Sequence, residues 1–171
     1  RMLALAEGLA VDGFDGLKCR YHGDLHLGRV LLAEGDLLIV DFASDPALEG
    51  AADPRHSPLR DVAEVLRSLD RAVQAALAGF GEVEIGDPAT FRGFARDWQR
   101  RVEHAFLEAY HERLHGSPLL GTNRDAAAAV LELFVLEKCL HEIREGSPQL
   151  DDGRALALRG LLQRLPETGA A

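Results

Sequence analysis

Apolar residues fall on helical stripes in four stretches of the chain and crowd into two short runs near its start. Leu59, Val62, Ala63, Leu66, Leu69 and Val73 form one stripe, and Phe91, Phe94, Trp98, Val102, Ala105, Phe106 and Tyr110 form the next. A third stretch runs from about Asp125 through Ala126 and Ala129 to Glu145, and a fourth carries Leu156, Leu158, Leu161, Leu162 and Leu165. This spacing predicts four amphipathic helices, with Trp98 placed in the core by its stripe. Their ends are marked as well. Ser57-Pro58 and Asp87-Pro88 each put a capping side chain before a proline at the first helical position, and Asp151 stands before the last helix. Gly79, Gly116, Gly146 with Pro148, and Pro166 close the four in turn. Residues 1–10, with Met2, Leu3, Leu5, Ala6 and Leu9, predict the end of a helix that began upstream.

The two short runs, Arg29-Val30-Leu31-Leu32 and Leu37-Leu38-Ile39-Val40-Asp41-Phe42, flank Ala33-Glu34-Gly35-Asp36. They predict a tight β-hairpin with Gly35 free to take φ > 0. A further short strand is expected at 18–21, and residues 43–57, rich in Ala, Asp, Pro and Gly, read as an irregular surface loop. A small hairpin followed by four helices is an α+β fold, mostly α-helical, in a single domain over residues 1–171.

The hairpin brings a loop carboxylate, Asp24, towards a strand-end carboxylate, Asp41. Phosphoryl transfer to a hydroxyl uses such a pair: one carboxylate orients the nucleophile and accepts its proton, and the other holds magnesium on the phosphates. Simpler roles compete. Asp24 in a Gly-containing turn can bond its own backbone, and Asp41 can be a solvated carboxylate at a strand exit. His22, Asp24 and His26 also read as H-x-D-x-H, a partial zinc set. Closing that set needs another ligand, and His56, His104, His111, His115 and His141 are scattered. Asp61 is a favourable charge in the first turn of its helix. Glu137 and His141, four apart, share a helix face that suits either solvent or a ligand.

Composition narrows the field. Hydrophobic content of 47% and charged content of 27% fit a globular protein with a proper core. A net charge of −9 argues against a nucleic-acid partner, which needs clustered cations. Two cysteines, Cys19 and Cys139, make no disulfide scaffold and are expected as buried thiols. No apolar run approaches the ~20 residues of a membrane span and no signal peptide is present, so the expectation is a cytoplasmic protein with no membrane partner. The chain begins with Arg1 rather than Met, which is expected of part of a longer polypeptide.

His22-Gly23-Asp24-Leu25-His26-Leu27-Gly28-Arg29-Val30-Leu31 resembles the catalytic loop of the aminoglycoside-phosphotransferase-like kinases, within the protein-kinase-like superfamily. It is most similar there to the maltokinases and bacterial glucosamine kinases, which carry H-G-D-x-H-L-G-Q-V-L, then D-F-E-G-E-P, then S-P-L-R-D-V-A. This chain has Asp41-Phe42-Ala43-Ser44-Asp45-Pro46 and an intact Ser57-Pro58-Leu59-Arg60-Asp61-Val62-Ala63. A weaker match lies at Leu136-Glu137-Lys138-Cys139-Leu140-His141-Glu142.

The resemblance implies the C-terminal lobe of an ATP-dependent sugar kinase, with the nucleotide-binding lobe absent from this chain and expected upstream. It implies Asp24 as catalytic base, His26 and Arg29 near the phosphates, Asp41 as magnesium ligand, and Glu137, His141 and Glu142 at a maltose- or glucosamine-like sugar. It further implies a backbone-holding role for His22 and for Asp61 around the catalytic loop. Two positions depart from the pattern. Arg29 stands where the family has a metal-ligating Asn or Gln, and Ala43 stands where the maltokinase pattern has Glu. A guanidinium has only donors, so Arg29 is expected to pair with Asp24 or Asp41 in place of a second metal ion. The kinase reading expects ATP and magnesium in the complete enzyme rather than in this chain alone, and these departures support an alternative, a catalytically inactive lobe acting as a binding or structural module.

Overall fold

The structure, a computed structural model, describes residues 13–42, 55–80, 87–145 and 153–164, except for the side chains of 80, 153, 154, 156 and 162–164. The expectations for residues 1–10, Ala43, Asp45, Gly146, Pro148, Asp151, Leu165 and Pro166 lie outside the described residues, as do those for the Leu156 and Leu162 side chains. What is described is the α+β, mostly helical arrangement expected: a two-stranded antiparallel hairpin and four helices.

Strands β1 (Val30–Ala33) and β2 (Asp36–Ile39) pair in the register Val30↔Ile39 to Ala33↔Asp36. The two residues between them both take left-handed backbone, Glu34 at φ 52 and Gly35 at φ 92. That is the twist a two-residue hairpin turn demands. A bond from Val40 N–H to the Arg29 carbonyl (3.0 Å) carries the pairing one step beyond the ladder. The hairpin leaves Leu31, Leu32, Leu37, Leu38 and Ile39 exposed.

The strand expected at 18–21 is not formed; Cys19 makes only an isolated bridge with His56, through two bonds of 2.9 Å. The next residues on the partner side stop it. The Ser57 N–H donates to its neighbour's ring at His56 Nδ1 (2.8 Å), and Pro58 has no N–H to offer.

Helix α1 (Leu59–Phe80) follows at once and is the central element, packed against the other three helices and against a 3-10 turn at Leu27–Arg29. Its apolar stripe is buried as expected and joins Leu120, Ala127, Val135, Leu136, Cys139 and Leu161 in the core. From Val62 to Asp70 its remaining faces are buried too, and they carry Glu64, Arg67, Ser68 and Asp70, with Gln74 buried one turn further on. Buried polar groups need partners, and most of these find them on other elements.

Helix α2 (Pro88–Arg113) is capped by Asp87, whose Oδ2 accepts from the Thr90 N–H (2.9 Å) and hydroxyl (2.8 Å). Trp98 is not in the core: it is 42% exposed, and Phe94 is exposed with it. Only the later part of the stripe, with Phe106, Leu107 and Tyr110, packs against the core cluster. Helix α3 (Arg124–Glu145) starts from Asn123, whose Oδ1 accepts from Ala126 N–H (3.1 Å). Helix α4 (Gly153–Arg164) lies against α3 and α1. Its Gly160 is buried where a Cβ would meet the Asp70 carboxylate and, at 2.6 Å, the Arg67 guanidinium. Among the described residues no helix is long and apolar enough to cross a membrane.

Candidate functional site

The loop at His22–His26 is fixed at both ends by side chains of α1. Asp61 accepts from the His22 N–H (2.6 Å, Oδ2) and the Gly23 N–H (3.0 Å, Oδ1). About two turns further along the helix, the Ser68 hydroxyl accepts from the Leu27 N–H (3.2 Å). Gly23 takes φ 88, a turn in which a side chain would be strained. Asp24, Leu25 and His26 are therefore stretched between two anchors on one helix.

His22 ties this loop to the hairpin. Its buried ring accepts from the Asp24 N–H at Nδ1 (3.2 Å) and donates from Nε2 to the Val40 carbonyl (2.9 Å), beside the Phe42 ring. Holding Val40 places the next residue, Asp41, whose own backbone sits in the left-handed region at φ 57. Asn and Asp are the non-glycine residues that tolerate that conformation best.

Arg29 joins the two carboxylates. Its NH1 donates to Asp41 Oδ2 (2.6 Å) and its NH2 to Asp24 Oδ2 (3.1 Å). The hydrogen bond to Asp24 and the charges of both aspartates hold the guanidinium above its ordinary pKa. Backbone bonds fix the residue on both sides: the Arg29 N–H donates to the His26 carbonyl (2.8 Å), and its carbonyl receives Val40. His26 caps the 3-10 turn, accepting the Gly28 N–H at Nδ1 (3.1 Å), with Nε2 3.6 Å from Asp24 Oδ2. Burial lowers its pKa, and Asp24 opposes that shift. Both side-chain contacts to Asp24 fall on Oδ2, so Oδ1 takes part in neither.

The magnesium ion that the loop resemblance implies does not fit the residues present. Asp24 and Asp41 each give an oxygen to Arg29, and among the described residues no group of three His, Cys, Asp or Glu side chains is placed to hold a metal. An arginine cannot complete such a set.

The structure thus gathers Asp24, His26, Arg29 and Asp41 into one cluster. Of the three α3 residues, Glu142 is buried while Glu137 and His141 are exposed. Glu137 pairs with the α1 guanidinium of Arg60 through both oxygens (2.6 and 2.7 Å), while that guanidinium lies 5.1 Å over the Phe134 ring. His141 is exposed. Glu142 points into the domain and is 6% exposed. Its Oε2 accepts from Arg67 (2.7 Å), and its Oε1 accepts from Arg71.

Sequence reasoning did not single out Glu64, Ser68, Arg71 or Lys138. Glu64 lies on α1 between the two loop anchors and pairs with Lys138 of α3. Burial raises the Glu64 pKa against the pull of Lys138. Asp61, Glu64, Ser68 and Arg71 recur at three- and four-residue steps, so a polar stripe towards the loop was there to be read.

No family model matches the chain. It is 32% identical over 94 residues to a glucosamine kinase of Streptacidiphilus jiangxiensis, a match covering 54% of this chain and 20% of that protein. It is also 32% identical over 123 residues to a glucosamine kinase of Mycolicibacterium smegmatis, covering 71% of this chain and 28% of that protein. The chain is therefore related in sequence to sugar kinases, and it spans less than a third of the length of the relatives it matches.

Proposed function

We propose that this chain is the C-terminal lobe of an ATP-dependent sugar kinase, transferring phosphate to a hydroxyl of a glucosamine- or maltose-like sugar. The observation that carries the reading is the cluster of Asp24, His26, Arg29 and Asp41 on a loop held by Asp61 and Ser68. The similarity to glucosamine kinases supports it. Asp24 is the base: its Oδ1 orients the sugar hydroxyl and accepts its proton as the oxygen attacks phosphorus in line. Neutral His26 and the Arg29 guanidinium stand beside it and supply donors for phosphate oxygens. Glu137 and His141 are the α3 groups open to a sugar. The exposed Leu31, Leu32, Leu37 and Leu38 of the hairpin suit cover by nucleotide and by a second, nucleotide-binding lobe.

The test is mass-spectrometric detection of sugar phosphate from ATP and glucosamine or maltose, using the polypeptide that carries this chain. Asp24→Asn is expected to lower turnover by about 10²–10⁴-fold, the usual contribution of a positioned base, with an unchanged melting temperature. An Asp24→Asn protein with full turnover would rule the assignment out. The Arg29 bridge across both carboxylates favours a second reading, a lobe that binds without catalysing. Absence of turnover in the wild-type polypeptide, with sugar or nucleotide still bound in calorimetry, selects it.

A further inference from the structure

Two ionised carboxylates at one site repel each other and ordinarily recruit a cation. Here the cation is covalently part of the chain. Arg29 NH1 lies 2.6 Å from Asp41 Oδ2 and NH2 lies 3.1 Å from Asp24 Oδ2, so the planar fork spans the gap between the carboxylates. Its position is set by the main chain: the Arg29 N–H is bonded to His26 and its carbonyl to Val40, at the point where the catalytic loop enters the hairpin. Asp41 meets it from a left-handed backbone, and Asp24 from a loop pinned by Asp61 and Ser68. All three partners are thus placed by elements that do not depend on the ion pair.

The geometry points to Arg29 as a resident cation that keeps divalent metal off this site and holds Asp24 by one oxygen, so that Arg29 is a positioning residue for the proposed base. The two functions come from one side chain. A fixed positive charge beside Asp41 repels an incoming ion, and its NH1 occupies the oxygen such an ion would take. Its NH2 anchors Asp24 Oδ2 and leaves Oδ1 as the reactive oxygen.

The inference deepens the kinase reading, but its test needs neither sugar nor nucleotide, so the two fail separately. Manganese, a spectroscopically visible divalent ion, is titrated into the 171-residue chain and followed by calorimetry and electron paramagnetic resonance. Wild type is expected to show no saturable site. Arg29→Gln, which supplies an amide oxygen in place of the guanidinium, is expected to bind at least about tenfold more tightly, the order that removing one adjacent unit charge allows. Asp41→Asn in the Arg29→Gln background removes that binding. Arg29→Lys keeps the charge without the fork and is expected to bind no better than wild type. Far-ultraviolet circular dichroism confirms that each variant is folded. Wild-type binding as tight as that of Arg29→Gln overturns the proposal. So does a folded Arg29→Gln that binds no manganese, or an Arg29→Lys that binds as well as Arg29→Gln.

Discussion

Glu142→Ala is expected to destabilise the protein by about 3–5 kcal/mol, the range for removing one partner of a buried ion pair. Glu142 is 6% exposed and accepts from two guanidiniums, Arg67 and Arg71, while Arg67 is 0% exposed and also pairs with Asp70. Two cations and two anions balance inside the domain. Burial works most strongly against the Arg67 charge, and the Glu142 hydrogen bond together with the negative charges around it, Asp70 among them, outweighs it, so the group stays cationic. Without Glu142 the cluster keeps a net positive charge in a place water does not reach. Arg67 Nε, already buried with no acceptor among the described residues, then has company in NH2. Glu142→Gln retains shape and one acceptor and is expected to lose less. Urea unfolding of the three proteins decides it. A Glu142→Ala protein within about 1 kcal/mol of wild type, the ordinary cost of a point substitution, would show that the cluster is held together without this carboxylate.

Asp61→Ala is expected to release the loop at His22–His26. The carboxylate takes two backbone N–H donors, from His22 and Gly23, and hydrogen bonds to a charged group contribute about 1.5–3 kcal/mol each. Even the lower end, about 3 kcal/mol for the two, corresponds to roughly a hundredfold in an opening equilibrium. Native-state hydrogen exchange at the His22 and Gly23 amides should accelerate on that scale, while amides in the middle of α3 change only with global stability. Asp61→Asn, with a single acceptor oxygen, should free one of the two amides and not both. Unchanged exchange at both positions in Asp61→Ala would mean that His22, through Val40, holds the loop unaided. The outcome reaches the proposed chemistry, because Asp24 follows directly on the two anchored residues.

Local signals were legible in the chain wherever one residue decides the backbone. Gly35 fixed the hairpin turn, Asp87-Pro88 and Ser57-Pro58 fixed two helix starts, and the family resemblance, with Arg29 standing where a metal ligand is expected, foretold the ion pair now seen. What stayed hidden depends on neighbours. The strand at 18–21 had the right composition but only His56 to pair with. The Trp98 stripe is amphipathic along its full length, yet α2 meets the core cluster mainly through its second half. Burial of α1 on every side between Val62 and Asp70 follows from three helices and a loop closing round it, and its polar residues at 64, 67, 70 and 74 look solvated until those partners are in place. The same holds for Glu142, which shares a motif with Glu137 and also meets arginines of α1, but is buried where Glu137 is exposed.

Gly160 gives the buried charges a use besides stability. Helix α4 seats where Gly160, with no side chain, passes over Arg67 and Asp70. A slip of the helix by a single position would bring Arg159 or Leu161 to that spot, a third cation against a guanidinium or a bulky side chain against a carboxylate. Leucine-rich helices slide easily over apolar surfaces, because one leucine replaces another at little cost. The ion cluster removes that tolerance: it acts as a gauge that α4 passes in one alignment only, so the helix is told where to stop by the charges beneath its glycine.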